Sequence, residues 1–254
     1  MKGRMFQAIY VMWLREMKRF VRFRSRILMT LIQPLFFLII LGSGLRNVSI
    51  IGMKSDFFYY FAPGIIAMSI MFSSMFTGVS VLWDKQFGFL QEVLVAPVSR
   101  LSIIIGRTLG GATTALIQGF IILIIIIGLG IPIASILGLI LTFVFMILIS
   151  FSSVGFGLIL ASKMRDMQTF PLIMNLVLMP LILVSSAFFP LNNLPPAALY
   201  AAQFNPVFYM VDGLRGSLLG VDFIIHPLID LVILLAICIT MLILGSYFFS
   251  KSEA

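Results

Sequence analysis

Six stretches of this chain stay apolar for long enough to cross a lipid bilayer, and that removes most of the folds open to 254 residues. A transmembrane helix needs about 20 consecutive, mostly apolar residues. Ile27–Leu45, Phe57–Leu82, Ile103–Ile127, Ile133–Ala161, Thr169–Phe189 and Leu228–Phe249 each qualify. Charged residues make up only 10% of the chain, where a soluble domain carries about 25%. Mean hydropathy is +1.17. The expected fold is an all-α membrane protein with six transmembrane helices, forming a single domain over residues 1–254.

Basic residues give the orientation, because Lys and Arg in short loops stay on the cytoplasmic side. One side collects Lys2, Arg4, Arg15, Lys18, Arg19, Arg22, Arg24, Arg26, Lys85, Arg100, Arg107, Lys163, Arg165 and Lys251. The other keeps Arg46, Lys54 and Arg215. Both termini are therefore expected in the cytoplasm, with 190–227 facing out. The net charge of +8 is read as topology and attraction to anionic headgroups, and it implies no nucleic-acid partner. The first apolar run starts only at Ile27 and is long enough to be retained as an anchor instead of cleaved. Cys238 reads as a small packing residue. Asn47-Val48-Ser49 matches a glycosylation acceptor, a pattern short enough to arise by chance.

Residues 1–26 carry a different pattern. Phe6, Ile9, Tyr10, Trp13, Met17 and Phe20 recur at three- and four-residue intervals, while Gln7, Arg15, Lys18, Arg19 and Arg22 fall largely on the opposite face. A basic amphipathic helix with an aromatic stripe lies in the membrane interface. It serves there as a topological anchor, as a lever that touches a cytoplasmic partner, or as both.

The interiors of the six stretches hold no ionisable residue, with Arg107 and Asp230 near the ends of theirs. Proton relays and ion-coupled carriers need such groups at depth, so an ion-coupled carrier is disfavoured. Gln33, Gln118 and Asn175 are the larger polar residues at depth, and packing between helices is their commoner use over substrate contact. Pro34, Pro171 and Pro180 should kink or start helices. Gly110, Gly111, Ala112 and Ala115 offer a small face for close helix approach. Ser150, Ser152, Ser153, Gly155 and Gly157 suggest a bend or tilt in the long fourth stretch.

The chain lacks a phosphate-binding G-x-x-x-x-G-K-[ST] loop, and one His (His226) with one Cys makes neither a metal cage nor a Cys–His pair. No catalytic residue, metal or cofactor is expected in this chain. Energy for uphill movement would come from another chain.

Two connecting segments carry the functional reading. Residues 83–100, WDKQFGFLQEVLVAPVSR, form a polar break on the basic side, where a soluble partner can grip the protein. Residues 190–220 are too apolar for a free external loop and divide at Asn205-Pro206 into two short pieces. They read as a re-entrant pair of helices dipping into the outer leaflet. The competing reading is a surface helix that only braces the last span. Asp212 and Arg215, three apart, can pair on one helical face.

The order of these pieces resembles an ABC-2 type transporter permease, of the drug-resistance branch found in bacteria and archaea. The resemblance rests on the break D-x-x-x-G-x-x-x-E-x-L-x-x-P-x-S-R, here Asp84, Gly88, Glu92, Leu94, Pro97, Ser99 and Arg100. It rests equally on the outer phrase Pro190, Leu194, Pro195, then Asn205, Pro206, Tyr209, then Asp212, Leu214, Arg215, Gly216. Phe208 departs from the smaller residue more usual there. The resemblance implies a prokaryotic plasma-membrane exporter subunit that pairs with a second permease chain, as a homodimer, and binds two ATP-binding subunits. ATP and Mg would sit on those partners.

In that picture Asp84, Lys85, Gly88, Glu92, Pro97 and Arg100 form the segment coupled to the ATPase. Pro190, Pro195, Asn205, Pro206, Tyr209, Asp212 and Arg215 form an external gate, and spans two and five line the pathway. An amphipathic, drug-like, lipid-linked or polymeric substrate fits this picture. A membrane anchor or assembly factor without transport is the rival reading.

Overall fold

The computed structural model describes residues 2–45, 55–86, 99–164, 166–191 and 195–252. Helices dominate, and among the described residues there is no strand. In chain order they are α1 (Lys2–Arg22), α2 (Arg24–Phe37), α3 (Phe57–Gln86), α4 (Arg100–Gly128), α5 (Ile136–Lys163), α6 (Thr169–Leu183), α7 (Pro196–Gln203), α8 (Pro206–Leu219) and α9 (Pro227–Ser252). Helices α3, α4, α5 and α9 are long and apolar enough to cross a membrane, whereas the apolar parts of α2 and α6 are shorter.

The ends of these elements follow local chemistry. Pro34 withholds an N–H inside α2, and four residues later the helix widens into a π turn over Leu38–Gly42. Ser99 caps α4 by accepting the Ser102 N–H, and Ser135 caps α5 by accepting that of Gly138. Each such cap contributes about 1 kcal/mol. The fourth stretch, expected from Ile133, therefore becomes helical only at Ile136, after Gly130 at φ +91° and the Ser135 cap. Asp166 accepts from the Gln168 N–H and the Thr169 hydroxyl at the start of α6, which holds its carboxyl below the usual range.

The fifth stretch, expected to run to Phe189, stops being helical at Leu183, three residues past Pro180. The chain then turns through Ser186 at φ 62°. The bend suggested for the fourth stretch does not interrupt α5, which is one unbroken helix.

The small residues of α5 serve packing instead. A Cβ on Gly155 would lie 2.7 Å from the backbone of Met241 in α9, and one on Gly245 would lie 2.8 Å from the Gly155 carbonyl. The two helices thus touch backbone to backbone. Gly155→Val is expected to lower stability by about 1–3 kcal/mol, because backbone cannot yield as a side-chain tip can. Gly128→Ala, with open space around it, is expected to be near neutral. Thermal unfolding of the two variants in detergent checks the contrast.

Helix α3 is the axis of the bundle. Tyr60 near its start contacts Arg215 of α8, and Asp84 near its end contacts Arg15 of α1. Twenty-four residues of helix separate these points by about 36 Å, so α1 and α8 lie at opposite ends of the molecule. The core between them is apolar, built around Phe61, Ile65, Ile70, Met75, Phe145 and Ile149.

Candidate functional site

At the α1 end, the polar break starts on a buried ionic cluster that also takes in Arg107, two turns into the helix that follows it. The Asp84 carboxylate accepts from both Arg15 Nη atoms, at 2.6 and 3.0 Å, and from Arg107 Nη2 at 2.6 Å. Arg107 is fully buried and Asp84 nearly so. One carboxylate therefore ties α1, the end of α3 and the start of α4 together. The bidentate Arg15 contact is the geometry that makes such pairs strong.

Helix α1 reaches this point because α4 presents glycine. Gly106 and Gly110 face Met12 and Glu16, and a Cβ on either would come within 2.7 Å of those side chains. The Trp13 indole N–H donates to Thr113 Oγ1 at 3.2 Å, and the Ser80 hydroxyl donates to the buried Glu16 carboxylate at 3.4 Å. The helix expected in the membrane interface is thus also docked along one side on α4. Met12 and Glu16 are buried on α4, while Phe6 and Tyr10 of the aromatic stripe remain exposed. Amphipathicity alone does not tell a lipid surface from a protein surface.

Lys85 lies in the last turn of α3 and Arg100 is the first residue of α4. Gly88, Glu92, Leu94 and Pro97 lie outside the described residues, as do Arg46, Lys54 and the Asn47-Val48-Ser49 pattern. Among the expected coupling residues, the structure gives contacts for Asp84, and these are structural. Arg15, Glu16 and Arg107 were not among the expected site residues. The signal for Arg107 was a lone cation inside an apolar stretch, which needs a counterion.

At the other end, the outer phrase folds into a buried network. Arg215 is fully buried and stacks on the Tyr60 ring, its guanidinium carbon 3.7 Å from the centroid. It donates to the Ser186 carbonyl at 2.7 Å, to the Ser186 hydroxyl at 3.2 Å and to the Tyr60 carbonyl at 3.3 Å. Asp212 sits 3.7 Å from Arg215, the expected pairing, and also accepts the N–H groups of Ile224 and Ile225. Those contacts fix the turn that leads into α9.

Asn205 accepts the Val207 N–H as the α8 cap and donates to the Leu181 carbonyl at the end of α6. Pro206 follows at the first helical position, where its missing N–H costs nothing. Tyr209 donates to the Gln203 carbonyl at 2.6 Å, so it closes the α7–α8 corner. Pro195 stands just before α7, and Pro190 is buried in the approach to it. Gly220, left-handed at φ 69°, ends α8. Helix α8 is buried along most of its length against α3, α5 and α9, so it does more than brace the last span.

Of the deeper polar residues, Gln118 donates to Thr30 at 2.9 Å and joins α4 to α2. Gln33 and Asn175 are exposed and face a groove of about 260 Å³ between α2, α3 and α6, among Phe72, Met68 and Met174. Arg107 and Asp230, expected within reach of an interface, are both buried. Among the described residues no cluster of His, Cys, Asp and Glu could hold a metal ion.

Apolar bundle, docked basic helix and buried end networks define a multi-pass helical membrane protein. The chain belongs to the ABC-2 type transporter family, whose model matches residues 7–219. Among its relatives is ycf38 of Cyanophora paradoxa, a transport permease by name, 27% identical over 73% of this chain and 65% of the relative. YbhR of Escherichia coli K12, by name a multidrug ABC transporter permease, is 31% identical over 62% of this chain and 43% of its own length. YadH of the same strain, by name an inner membrane transport permease, is 29% identical over 85% of this chain and 84% of its own. The chain thus spans just under two thirds of the length of ycf38 and about two fifths of YbhR.

Proposed function

We propose that the chain is the permease subunit of an ATP-driven exporter, with ATP bound and hydrolysed, with Mg, on a separate subunit. The observation that carries this reading is the Asp84 cluster. It clamps both ends of the 87–98 segment, through α3 and α4, to the basic helix α1. A push on a segment with a clamped base moves the helices as a body. A segment on flexible stems would absorb the same push.

Six crossings complete the topology in this reading, with α2 plus its π turn and α6 as the two shorter ones. The α1 end is cytoplasmic, both termini lie there, and the membrane is the plasma membrane of a prokaryote. The α7–α8 pair forms the outer re-entrant segment. Two copies of the chain and two ATP-binding subunits make the transporter. The second copy faces the groove between α2, α3 and α6, so that α3 and α6 line the pathway. The substrate is amphipathic, drug-like, lipid-linked or polymeric, and of the relatives' names YbhR's, a multidrug permease, supports the drug-like class.

Glu92→Lys is expected to abolish ATP-dependent transport in vesicles while leaving expression and thermal stability unchanged. Transport at the native rate in this variant would remove the 83–100 segment from the coupling role.

A further inference from the structure

Three neighbouring cavities follow one another along α2 and α3. The first is an open basic groove of about 350 Å³ lined by Arg15, Lys18, Arg19 and Arg22, with Phe23 and Trp83 beside them and Asp84 at its floor. The second, of about 40 Å³, shares Arg19 and Phe23 with the first, and Ser73, Thr77, Ser80, Thr114 and Gln118 give it a hydrogen-bonding wall around Glu16. The third is the apolar groove of about 260 Å³, which shares Thr30 and Phe76 with the second.

From Trp83 through Phe76 to Met68, α3 covers the whole series, about 22 Å at the rise of a helix. That exceeds the roughly 15 Å of one leaflet's hydrocarbon. From Phe23 to Phe37, α2 runs beside it over a similar length.

The polarity order is charged, then hydrogen-bonding, then apolar. We infer that these three cavities form one binding track for an anionic amphiphile drawn from the lipid phase, headgroup at the α1 end and chain along α2, α3 and α6. Charge complementarity selects the headgroup. Asp84 is already held by Arg15 and Arg107, while Lys18, Arg19 and Arg22 make no ion pair with a carboxylate among the described residues. The Glu16 carboxylate in the middle cavity repels an anion and keeps the headgroup in the basic groove. The hydroxyls and amide there suit the ester or sugar region next to a headgroup. The Phe and Met groove beyond suits an acyl chain. This assignment rests on the permease reading and names its substrate class.

The test uses the full chain, purified in mild detergent with whatever ATPase accompanies it. The probes are phosphatidylglycerol and phosphatidylcholine, each carrying a photoreactive diazirine at the acyl-chain end. Labelled peptides are mapped by mass spectrometry. Phosphatidylglycerol is expected to label peptides containing Gln33–Phe37 or Met174–Met179, with a preference over phosphatidylcholine of about tenfold. Arg19→Ala/Arg22→Ala should erase the preference, and Arg19→Lys/Arg22→Lys should keep it. Labelling of the exposed Val232 and Ile239 of α9 should be the same for both lipids and all variants, which controls for folding and for annular lipid.

Equal labelling by the two lipids would overturn the track, as would labelling confined to α9 or a preference that survives the alanine variant. Absence of any headgroup preference in the parent chain, together with loss of the ATPase from the alanine variant, would also overturn it, and would give the basic groove to a protein partner. Because labelling needs no ATP hydrolysis, selective labelling without a bound ATPase would keep the track and sink the permease reading. A bound ATPase without selective labelling would do the reverse.

Discussion

Asp84→Ala is expected to cost the protein about 3–5 kcal/mol, the largest stability loss of any single polar substitution at the α1 end. The carboxylate is the shared acceptor for Arg15 and for the fully buried Arg107. Its removal takes the Asp84 charge away from a guanidinium buried in a low-dielectric interior, and the Arg15–Asp84 tie between α1 and α3 is lost. Asp84→Asn should lose nearly as much, because the amide keeps the shape and discards the charge. The double change Asp84→Leu/Arg107→Met should recover much of the loss, since an apolar pair of similar size often replaces a buried ion pair at little cost. Thermal unfolding in detergent, with protease susceptibility of α1 as a local readout, measures all three. An Asp84→Ala protein as stable as the parent would show that the cluster does not hold the base of the 83–100 segment.

Arg215→Ala should be comparably severe at the opposite end. The guanidinium there joins α8 to α3 and to the Ser186 turn through three hydrogen bonds and a ring stack. Truncation removes all three bonds and the ring stack and leaves the buried Asp212 without its cation, a loss of about 3–5 kcal/mol, while the Ser186 carbonyl keeps the Tyr60 hydroxyl. Arg215→Lys keeps the charge but lacks the planar fork, so most of the loss should remain. The matching control is Tyr60→Phe, which keeps the ring beneath Arg215 and removes only the hydroxyl bond to Ser186. That change should cost about 1 kcal/mol. An Arg215→Lys protein with unaltered unfolding would mean that charge alone, and not the fork geometry, holds α8 in place.

These two networks mark the limit of what the sequence reveals. Length and apolarity located the long crossing helices, because about 20 apolar residues have few other fates. Cap residues and proline then adjusted the ends. Ser135 moved one start to Ile136, and Pro180 with the Ser186 turn ended α6 at Leu183. The docking of α1 was not legible, because Met12 and Glu16 meet glycines about a hundred residues away and the helix has the same amphipathic pattern against lipid.

The Asp84 cluster was hidden for a similar reason. Residues 15, 84 and 107 share no spacing, and they meet only when three helices pack. The outer phrase was visible as a motif, and with it the Asp212–Arg215 pair, but its other contacts were not. Asn205, Asp212 and Arg215 read as a gate in sequence, and in the fold they cap, brace and anchor α8. All three are buried, so none of them is a side chain that swings freely.

The central claim is that a separate ATPase drives this chain through the segment between α3 and α4. Purification in mild detergent, followed by identification of any co-purifying ATPase, tests it most directly when run beside Glu92→Ala and Arg100→Ala. The account predicts an ABC-type ATPase bound to the parent chain and weakened in both variants, with α1 still docked. Absence of an ATPase from a preparation that remains folded would contradict the account and favour a membrane anchor or assembly role.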